Sequence, residues 1–241
     1  MTRAILDRLR QFDTPTICNV VELFDLCSRT AFYMDSRIQA CYPKLPPMVG
    51  YAATATFRSA APPAAGNVYA GLGEQIEAFA KIPGPPVVVF QDLDNPVMSA
   101  TFGEVMCTTY KTFGAAGLIT SGAARDLDQV EGLAFPCFAS GVNPAHGYCH
   151  FVSIGIPVHV GGLMVQQGDL LHGDRNGVCR IPAELAGVVA DACPELAAAE
   201  SIVLDYLKGG SVTPKGFNDA RKACKERIDA LAARLKKEAS Q

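Results

Sequence analysis

Two apolar, strand-like runs separated by a helical segment constrain the fold of this chain more than any other feature. The run VVVFQDL at 87–93 is rich in β-branched residues, and AGLITSG at 116–122 is the second run. Between them, FGEVMCTTYKTFGA at 102–115 predicts a helix after a short loop. Continuous apolar strands are typical of a parallel sheet that is covered on both faces. The strand–helix–strand order therefore predicts a βαβ unit and an α/β fold.

The segments on the N-terminal side predict three helices and another strand. Apolar residues at helical spacing in 2–12, and a cap at Asp13 or Thr14 before the next apolar segment, predict two N-terminal helices. YAATATFRS at 51–59 alternates as a strand does, and 68–82 predicts a further helix. Between these two, AAPPAAGN at 60–67 predicts a mobile or ligand-facing loop.

The chain changes character after residue 135. Short runs punctuated by Gly and Asp turns predict a smaller β layer; they lie at 135–142, 156–165, 169–174 and 176–182. Two Ala-rich helices follow, broken at Gly209–Gly210, and the second is strongly amphipathic. With 241 residues and no long linker, we expect a single domain over 1–241, with 183–241 as a helical C-terminal extension packed in oligomer contacts.

Composition excludes several classes of function. The net charge of −3 gives no basic surface for nucleic acid, and no uncharged apolar run reaches the roughly 18 residues that a membrane helix needs. The first fifteen residues carry charges throughout, unlike a secretory leader. The nine cysteines are odd in number, scattered and without a CxxC pair. We therefore expect free thiols and a cytoplasmic protein that binds neither nucleic acid nor membrane.

The polar pair Arg125–Asp126 is the first candidate site. It follows the second apolar run, at the carboxyl end of a predicted parallel strand, where α/β proteins bind ligands. The small residues of SGAA at 121–124 suit the turn that would aim both side chains at one place. On local evidence alone, a surface ion pair that contributes little to stability is an equally good interpretation.

Gly103 and Glu104 form a second candidate, because Gly103 opens the predicted helix and Glu104 lies in its first turn. Free backbone N–H groups at this helix start favour an anion such as a substrate carboxylate. Taken alone, Glu104 is more simply a partner of the helix dipole. Taken with Asp126, it supplies a second carboxylate at the same edge of the sheet. Two such carboxylates can hold a hard divalent cation, and Arg125 beside them can stabilise an enolate oxygen.

Other groups give weaker signals. His146 and His150 are four residues apart, a spacing that suits zinc on a helix, but Gly147 and the absence of the HExxH glutamate favour a loop without metal. Cys107 near the helix start is either a reactive thiolate or, more commonly, packing. His159 and His172 are interpreted as ordinary polar residues on strands or turns.

Three blocks of the chain resemble one known family. FGEVMCTTYKTFGAAGLITSGAARD resembles the core of the family that joins the regulator of ribonuclease activity A (RraA) to the 4-hydroxy-4-methyl-2-oxoglutarate/4-carboxy-4-hydroxy-2-oxoadipate aldolases. That core has an acidic residue, twenty intervening residues and then Arg-Asp, as Glu104, Arg125 and Asp126 do here. VGGLMVQQGDLLHGDRNGVCRIP and DTPTICNVVE resemble two further blocks, so the likeness spans about 14 to 210.

This resemblance implies a fold and a set of roles. The fold is a β/β/α swivelling domain, assembled as a homotrimer or homohexamer. Asp126 would ligate Mg²⁺ or Mn²⁺, with Glu104 in the water-mediated shell, and Arg125 would contact the keto oxygen of a pyruvate-like substrate. Glu200, in the block AAAESIVLDYLKGG, would act in the site of a neighbouring subunit. The substrate carboxylate would bind backbone amides of Gly103, Glu104, Val105 and Met106.

The implied activity is a divalent-metal-dependent lyase that cleaves a C–C bond of a 2-oxo acid to give pyruvate, with oxaloacetate decarboxylation as a side activity. A non-catalytic regulator that binds a protein partner, like the ribonuclease E regulators of the family, is the alternative. Gln129 stands where the aldolases have an acidic residue, and Asn19 stands where Asp is common. The segments 59–67 and 143–151 also differ from typical members, which leaves the substrate beyond its pyruvyl part open.

Overall fold

A computed structural model describes residues 2–64, 66 and 70–239. The helices are α1 (Arg3–Leu9), α2 (Thr14–Leu23), α3 (Leu72–Ala78), α4 (Glu104–Thr112), α5 (Leu127–Gly132), α6 (Ala186–Lys208) and α7 (Pro214–Glu238). The strands are β1 (Gln39–Ala40), β2 (Met48–Arg58), β3 (Pro86–Asp92), β4 (Ala100–Phe102), β5 (Gly117–Thr120), β6 (Ala123–Ala124), β7 (Cys137–Ala139), β8 (Gly141–Val142), β9 (His150–Ile154), β10 (Val158–Val160), β11 (Leu163–Val165), β12 (Leu170–Asp174) and β13 (Gly177–Ile181).

The central feature is an eight-stranded mixed sheet in the order β1-β7-β5-β3-β2-β12-β13, with β9 also paired to β2. Strands β2, β3, β5 and β7 run parallel, as the βαβ pattern predicts. Strand β5 is buried throughout, and β3 is buried over its first five residues. The prediction of parallel strands covered on both faces is therefore confirmed.

Different elements cover the two faces of this sheet, because successive side chains of a strand point to opposite sides. On one face, Phe90 and Leu118 pack in a cluster with Met106 and Tyr110 of α4. On the other face, apolar side chains of the sheet pack against the β10–β11 hairpin; they include Val87, Val89, Ile119, Val158 and Val165. The layers are thus helix, sheet and hairpin, which is the β/β/α arrangement that the resemblance implies.

A third apolar cluster anchors the terminal helices. Leu9 of α1, Val20 of α2 and Leu196 of α6 pack there against Leu170 and Ile181 at the β12–β13 side of the sheet. Helix α7 joins it through its C-terminal half, where Leu231 and Leu235 are buried. The predicted C-terminal helices are confirmed, and no helix in the part of the chain described here is long and apolar enough to cross a bilayer.

The prediction of a separate β layer after residue 135 is wrong for most of its strands. Strand β12 pairs antiparallel with the free edge of β2, and β13 pairs with β12, so both extend the central sheet. Strand β7 pairs with β5 in the same sheet. Only the β10–β11 hairpin forms the outer layer. The cause is the length of strand β2, which offers pairing positions to strands from both halves of the chain.

The ends of two predicted helices also differ from those in the structure. The predicted helix 68–82 begins at Leu72 and ends in a short 3-10 turn at Phe79–Lys81. Its first two residues, with Ala65 and Asn67 of the predicted loop at 60–67, lie outside the described residues. Helix α2 ends at Leu23, and Asp13 caps it by accepting a 2.9 Å hydrogen bond from the N–H of Thr16.

Candidate active site at the ends of a small parallel sheet

The predicted site residues are carried by a small three-stranded sheet in the order β4-β6-β8, which we call the site sheet. Strands β4 and β6 are parallel, with Ala100 opposite Ala123 and Phe102 opposite Ala124. Strand β4 leads directly into helix α4, and β6 leads into the Arg125–Asp126 pair. The two candidate motifs are therefore brought together at one end of the site sheet, rather than at the edge of the main sheet as predicted.

Gly103 is the N-terminal cap of α4, and its lack of a side chain allows the close approach of the polar pair. A Cβ atom at this position would overlap Asp126 Oδ2 and would lie 2.9 Å from Arg125 Nε. Any larger residue would therefore displace both side chains. The start of the helix, its open N–H groups and the Arg–Asp pair consequently share one small region.

Asp126 is fixed by both backbone and side chain. Its φ of 54° lies in the left-handed region, which Asp tolerates better than most residues. Its Oδ2 accepts a 3.0 Å hydrogen bond from the backbone N–H of Glu104 and lies 3.8 Å from Arg125 Nε. The carboxylate therefore occupies the positive end of the α4 dipole, where a negative charge is stabilised.

The pair remains accessible to a ligand. The side chains of Arg125 and Asp126 are 27% and 35% exposed, and the Glu104 side chain is exposed on the first turn of α4. Helix N–H groups favour an anion, the guanidinium offers a planar fork of donors, and the carboxylate offers hard oxygen ligands. This combination suits a ligand that carries a carboxylate beside a second polarisable oxygen.

The remaining predicted site residues divide into three cases. Val105 is 75% exposed beside Glu104, whereas the Met106 side chain is buried in the core, so only its backbone can face a ligand. Glu200 lies on α6, which packs mainly against α1, α2 and α7. Among the described residues of one chain, no hydrogen bond or ion pair joins Glu200 to Arg125 or Asp126.

Among the described residues, His146 and His150 are not part of a zinc site, because no group of three or more His, Cys, Asp or Glu side chains is placed to hold a metal ion. His146 lies in a turn, with its Nδ1 2.8 Å from Gly147 O, and His150 begins β9, with its Nδ1 2.7 Å from Tyr148 O. Cys107 is fully buried, 3.9 Å from the sulfur of Cys137, which confirms packing rather than reactivity.

His172 lies on strand β12, in agreement with its predicted place on a strand or turn, but it is completely buried and hydrogen-bonded rather than an ordinary polar residue. Its Nε2 lies 3.2 Å from Leu9 O, which can only accept, so this nitrogen carries the proton. Its Nδ1 then accepts from the Thr14 hydroxyl at 3.0 Å. Burial lowers the pKa of His172 and keeps the ring neutral, so it ties α1 and α2 to β12 as a structural residue.

Sequence reasoning missed Asp92, the last residue of β3. It lines a polar cavity of about 360 Å³ together with Arg37, Asp94, Ser121 and His159. Its Oδ1 accepts from Asp94 N–H at 2.9 Å, while its buried Oδ2 has no hydrogen-bond partner among the described residues. Burial raises the pKa of Asp92 to about 6. The signal that could have found it is the one that found Arg125, namely a polar residue at the carboxyl end of a buried parallel strand.

Comparison with known proteins places this geometry in a family. The family described as RraA-like, Aldolase/RraA, matches residues 14–180. A protein of Halalkalibacterium halodurans, named as a candidate 4-hydroxy-4-methyl-2-oxoglutarate aldolase, is 33% identical over 120 residues, which are 49% of this chain and 55% of that protein. A Methanocaldococcus jannaschii relative without an assigned function is 32% identical over 87 residues, 36% of this chain and 42% of its own length. The chain thus matches about half the length of these curated relatives.

Solved structures agree on the fold. An uncharacterised Pseudomonas syringae protein superposes with a TM-score of 0.70 at 20% identity, covering 92% of this chain and 94% of that one. RraAS2 of Streptomyces coelicolor, described as an unusual member of the RNase ES inhibitor RraA protein family, gives 0.67 at 22% identity, with 83% and 96% covered. Because the family match covers most of the chain and its ends enclose the site sheet, the chain belongs to the RraA-like (Aldolase/RraA) family.

Proposed function

We propose that this protein is a divalent-metal-dependent lyase that cleaves a C–C bond of a 2-oxo acid and releases pyruvate. The observation that carries the proposal is the convergence of Arg125, Asp126 and the N-terminus of α4 at one accessible point. The name of the Halalkalibacterium relative supports the same chemistry. Cleavage next to a 2-oxo group develops negative charge on the keto oxygen, and the site holds donors for that charge.

The residues present fit Mg²⁺ or Mn²⁺. No group of three protein ligands forms in the described part of the chain, but Mg²⁺ commonly keeps several waters and uses only one or two carboxylates together with substrate oxygens. Asp126 would be the direct ligand, since only its Oδ2 is engaged by Glu104 N–H, and Glu104 would bind a coordinated water. When bound, the cation supplies Lewis-acid polarisation of the substrate's keto oxygen.

The chain's own groups would then perform three tasks. The Gly103, Val105 and Met106 amides at the start of α4 would bind the substrate carboxylate, which is attracted to the helix N-terminus, whereas the Glu104 amide is already donated to Asp126 Oδ2. Arg125 donates hydrogen bonds to the keto oxygen and stabilises the enolate as its charge develops. Retro-aldol cleavage also needs a base for the substrate hydroxyl proton, and Glu104 and Glu200 are the candidates. Oxaloacetate decarboxylation needs the same enolate without that base.

Glu200 can serve only if a second copy of the chain contributes it, so we further propose a homotrimer or homohexamer. Glu200, Leu204 and Leu207 share one face of α6, and both leucines are about half exposed. Exposed apolar side chains also surround the Arg125–Asp126 pair; they are Val105, Leu127 and Val142. Packing the α6 face of one copy on this apolar rim would bury both surfaces and bring Glu200 to the site.

The test is pyruvate release, coupled to lactate dehydrogenase, from 4-hydroxy-4-methyl-2-oxoglutarate and from oxaloacetate. We expect turnover with Mg²⁺ or Mn²⁺ and its loss with a chelator. Decarboxylation without aldol cleavage would support the enolate chemistry. It would contradict the assignment of Glu104 or Glu200 as the base for the substrate hydroxyl proton. Turnover of neither substrate at any metal concentration would contradict the lyase and favour the non-catalytic binding protein.

A further inference from the structure

The main sheet continues into the site sheet through a two-residue junction, Ser121–Gly122, between β5 and β6. Three residues after Gly122 the chain reaches Arg125, and two residues after Thr101 of β4 it reaches Gly103. The position of β4 relative to this junction therefore sets the distance between the Gly103–Glu104 helix start and the Arg125–Asp126 pair. A contact that fixes this relative position would control the geometry of the site without touching a ligand.

Such a contact exists between two buried threonines. Thr101 Oγ1 and Thr120 Oγ1 are 3.0 Å apart, and both residues are at most 1% exposed. The N–H of Gly122 donates to Thr120 Oγ1 at 2.9 Å, so this hydroxyl joins the junction to β4. Thr101 lies at the irregularity between Ala100 and Phe102 in the β4–β6 ladder. Such irregularities in strand pairing change the direction of a side chain, and here the Thr101 side chain points toward Thr120.

The space around Gly122 shows how closely these groups are fitted. A Cβ atom on Gly122 would overlap Thr101 Oγ1 and would lie 2.6 Å from Asp92 Oδ2. On the opposite side, Ser140 donates to Gly122 O through its backbone N–H at 2.9 Å and its hydroxyl at 2.8 Å. The junction is thus held by groups from β3, β4 and β5 and by the residue that follows β7, with no room for a side chain at its centre.

We propose that Thr101 and Thr120 are positioning residues whose hydroxyl pair sets the spacing between the Gly103–Glu104 helix start and the Arg125–Asp126 pair. The inference rests on the proposed function for its effect on turnover. Its structural consequence is independent of that function, because the spacing determines whether Asp126 reaches the Glu104 N–H.

Thr101→Val and Thr120→Val remove one hydroxyl each at nearly constant volume. Thr54→Val is the matched control, since Thr54 is a buried threonine of β2 whose hydroxyl donates to Ile156 O at 2.6 Å, away from the site sheet. Thr101→Val and Thr54→Val each lose a buried hydroxyl contact and should lose comparable thermal stability, whereas Thr120→Val also leaves the Gly122 N–H without its acceptor and should lose more. Only Thr101→Val and Thr120→Val should alter the site.

The first measurement is hydrogen exchange of the Glu104 backbone amide in the full-length protein, which reports the bond to Asp126. We expect exchange at least tenfold faster in Thr101→Val and Thr120→Val than in Thr54→Val, with protection restored in Thr101→Ser, which keeps the hydroxyl. The double variant should exchange about as fast as Thr120→Val alone, because that substitution already breaks both the threonine pair and the Gly122 contact. Equal Glu104 exchange in Thr101→Val and Thr54→Val would overturn the proposal.

The second measurement is steady-state kinetics with oxaloacetate and Mg²⁺. We expect kcat to fall by tenfold or more in Thr101→Val with a smaller change in KM, since a displacement of about 1 Å can cost a hundredfold in rate. If the wild type releases no pyruvate, the proposed function fails while the exchange experiment still decides the positioning role. Wild-type kcat in Thr101→Val, with an active wild type, would contradict that role.

Discussion

Asp126 caps the helix that Glu104 begins, through a 3.0 Å hydrogen bond from the Glu104 N–H to the Asp126 carboxylate. The residue proposed to hold the metal, which follows β6, is thus anchored by the start of helix α4, which follows β4. One carboxylate oxygen is engaged by the helix, which leaves the other for a cation. The same bond brings together the helix start that we propose binds an anion and the carboxylate that we propose binds a cation, as a substrate bridging the two would require.

This double role can be separated by two substitutions. We expect Asp126→Ala to lose divalent-metal dependence and nearly all turnover, and to lose about 1 kcal/mol of stability with the cap. Asp126→Asn keeps an oxygen that can accept from Glu104 N–H but lacks the charge, so it should keep stability and still lose metal binding. Mn²⁺ titration and thermal unfolding measure the two effects.

The control for both variants is Asp128→Ala, which removes an exposed carboxylate two residues further along α5. It should retain wild-type metal affinity and turnover. Normal metal-activated turnover in Asp126→Ala would remove Asp126 from the site.

Arg125→Lys distinguishes oxyanion stabilisation from charge balance. Lys keeps the charge but lacks the planar fork that holds two oxygens at once. If Arg125 stabilises the enolate, turnover should fall a hundredfold or more, equivalent to roughly 2.7 to 4 kcal/mol, with a smaller effect on KM. The assay uses oxaloacetate at saturating Mg²⁺.

Arg175→Lys, an exposed substitution on the β12–β13 turn, is the matched control and should leave turnover unchanged. An exposed ion pair contributes at most about 1 kcal/mol. A turnover for Arg125→Lys within about threefold of wild type, well below the tenfold that 1.36 kcal/mol gives, would therefore reduce the pair to surface electrostatics.

If a neighbouring subunit completes each site, two different inactive variants should restore activity when they are assembled together. Asp126→Ala and Glu200→Gln should each be inactive in aldol cleavage when pure, because each lacks one half of every site. After the two are unfolded together and refolded, some mixed interfaces should contain both native residues. We expect activity to return to a fraction of the wild-type value that is highest when the two variants are mixed in equal amounts, because a complete site needs one subunit of each kind.

Light scattering on the same samples gives the oligomeric state. A Leu204→Lys, Leu207→Lys variant should dissociate, because it places two charges on the α6 face that would be buried. An active monomer, or inactive mixtures of correctly assembled subunits, would refute the shared site.

Asp92 predicts a pH dependence of stability. Burial raises its pKa to about 6 from the ordinary value of 3.8; the hydrogen bond from the Asp94 N–H lowers this pKa, the Asp94 charge raises it, and Arg58 lowers it. Between these two values the folded state binds the additional proton, so this carboxyl's contribution to stability is lost as pH rises through about 6. Asn cannot ionise, so Asp92→Asn should be more stable than wild type at pH 8.

We expect a gain of about 1 kcal/mol at pH 8, discounted because the group is only partly buried, and none at pH 4. Urea unfolding at pH 4, 6 and 8 measures it, with Asp128→Asn as the exposed control. Parallel pH profiles of Asp92→Asn and wild type would show that Asp92 does not titrate in this range.

The parts of the fold and site that were predictable from the sequence depend on local signals. Buried strands β3 and β5 follow from continuous apolar runs, and the meeting of Glu104 with Asp126 follows from their places on either side of one βαβ connection. The place of β12 was not predictable in this way. It pairs with β2 more than a hundred residues earlier, and nothing in either strand specifies that partner.

The same limit applies to single side chains. Thr101 becomes a connecting residue only through an irregularity in strand pairing, which no composition or spacing reveals. His172 is buried because two elements distant in sequence, α1 and α2, close over it. Asp92 was within reach of the strand-end argument, which we applied only where two charged residues stood together.

The site sheet has strands of only three, two and two residues, far shorter than the eleven-residue β2 on which the main sheet is built. Its rim residues Val105, Leu127 and Val142 contribute little to the core, so their replacement costs little folding free energy. These positions can therefore vary while the scaffold is maintained by others. A library randomised at the three rim positions should yield mostly folded chains, so any loss of assembly among them would report on the proposed packing of a second copy and not on the fold.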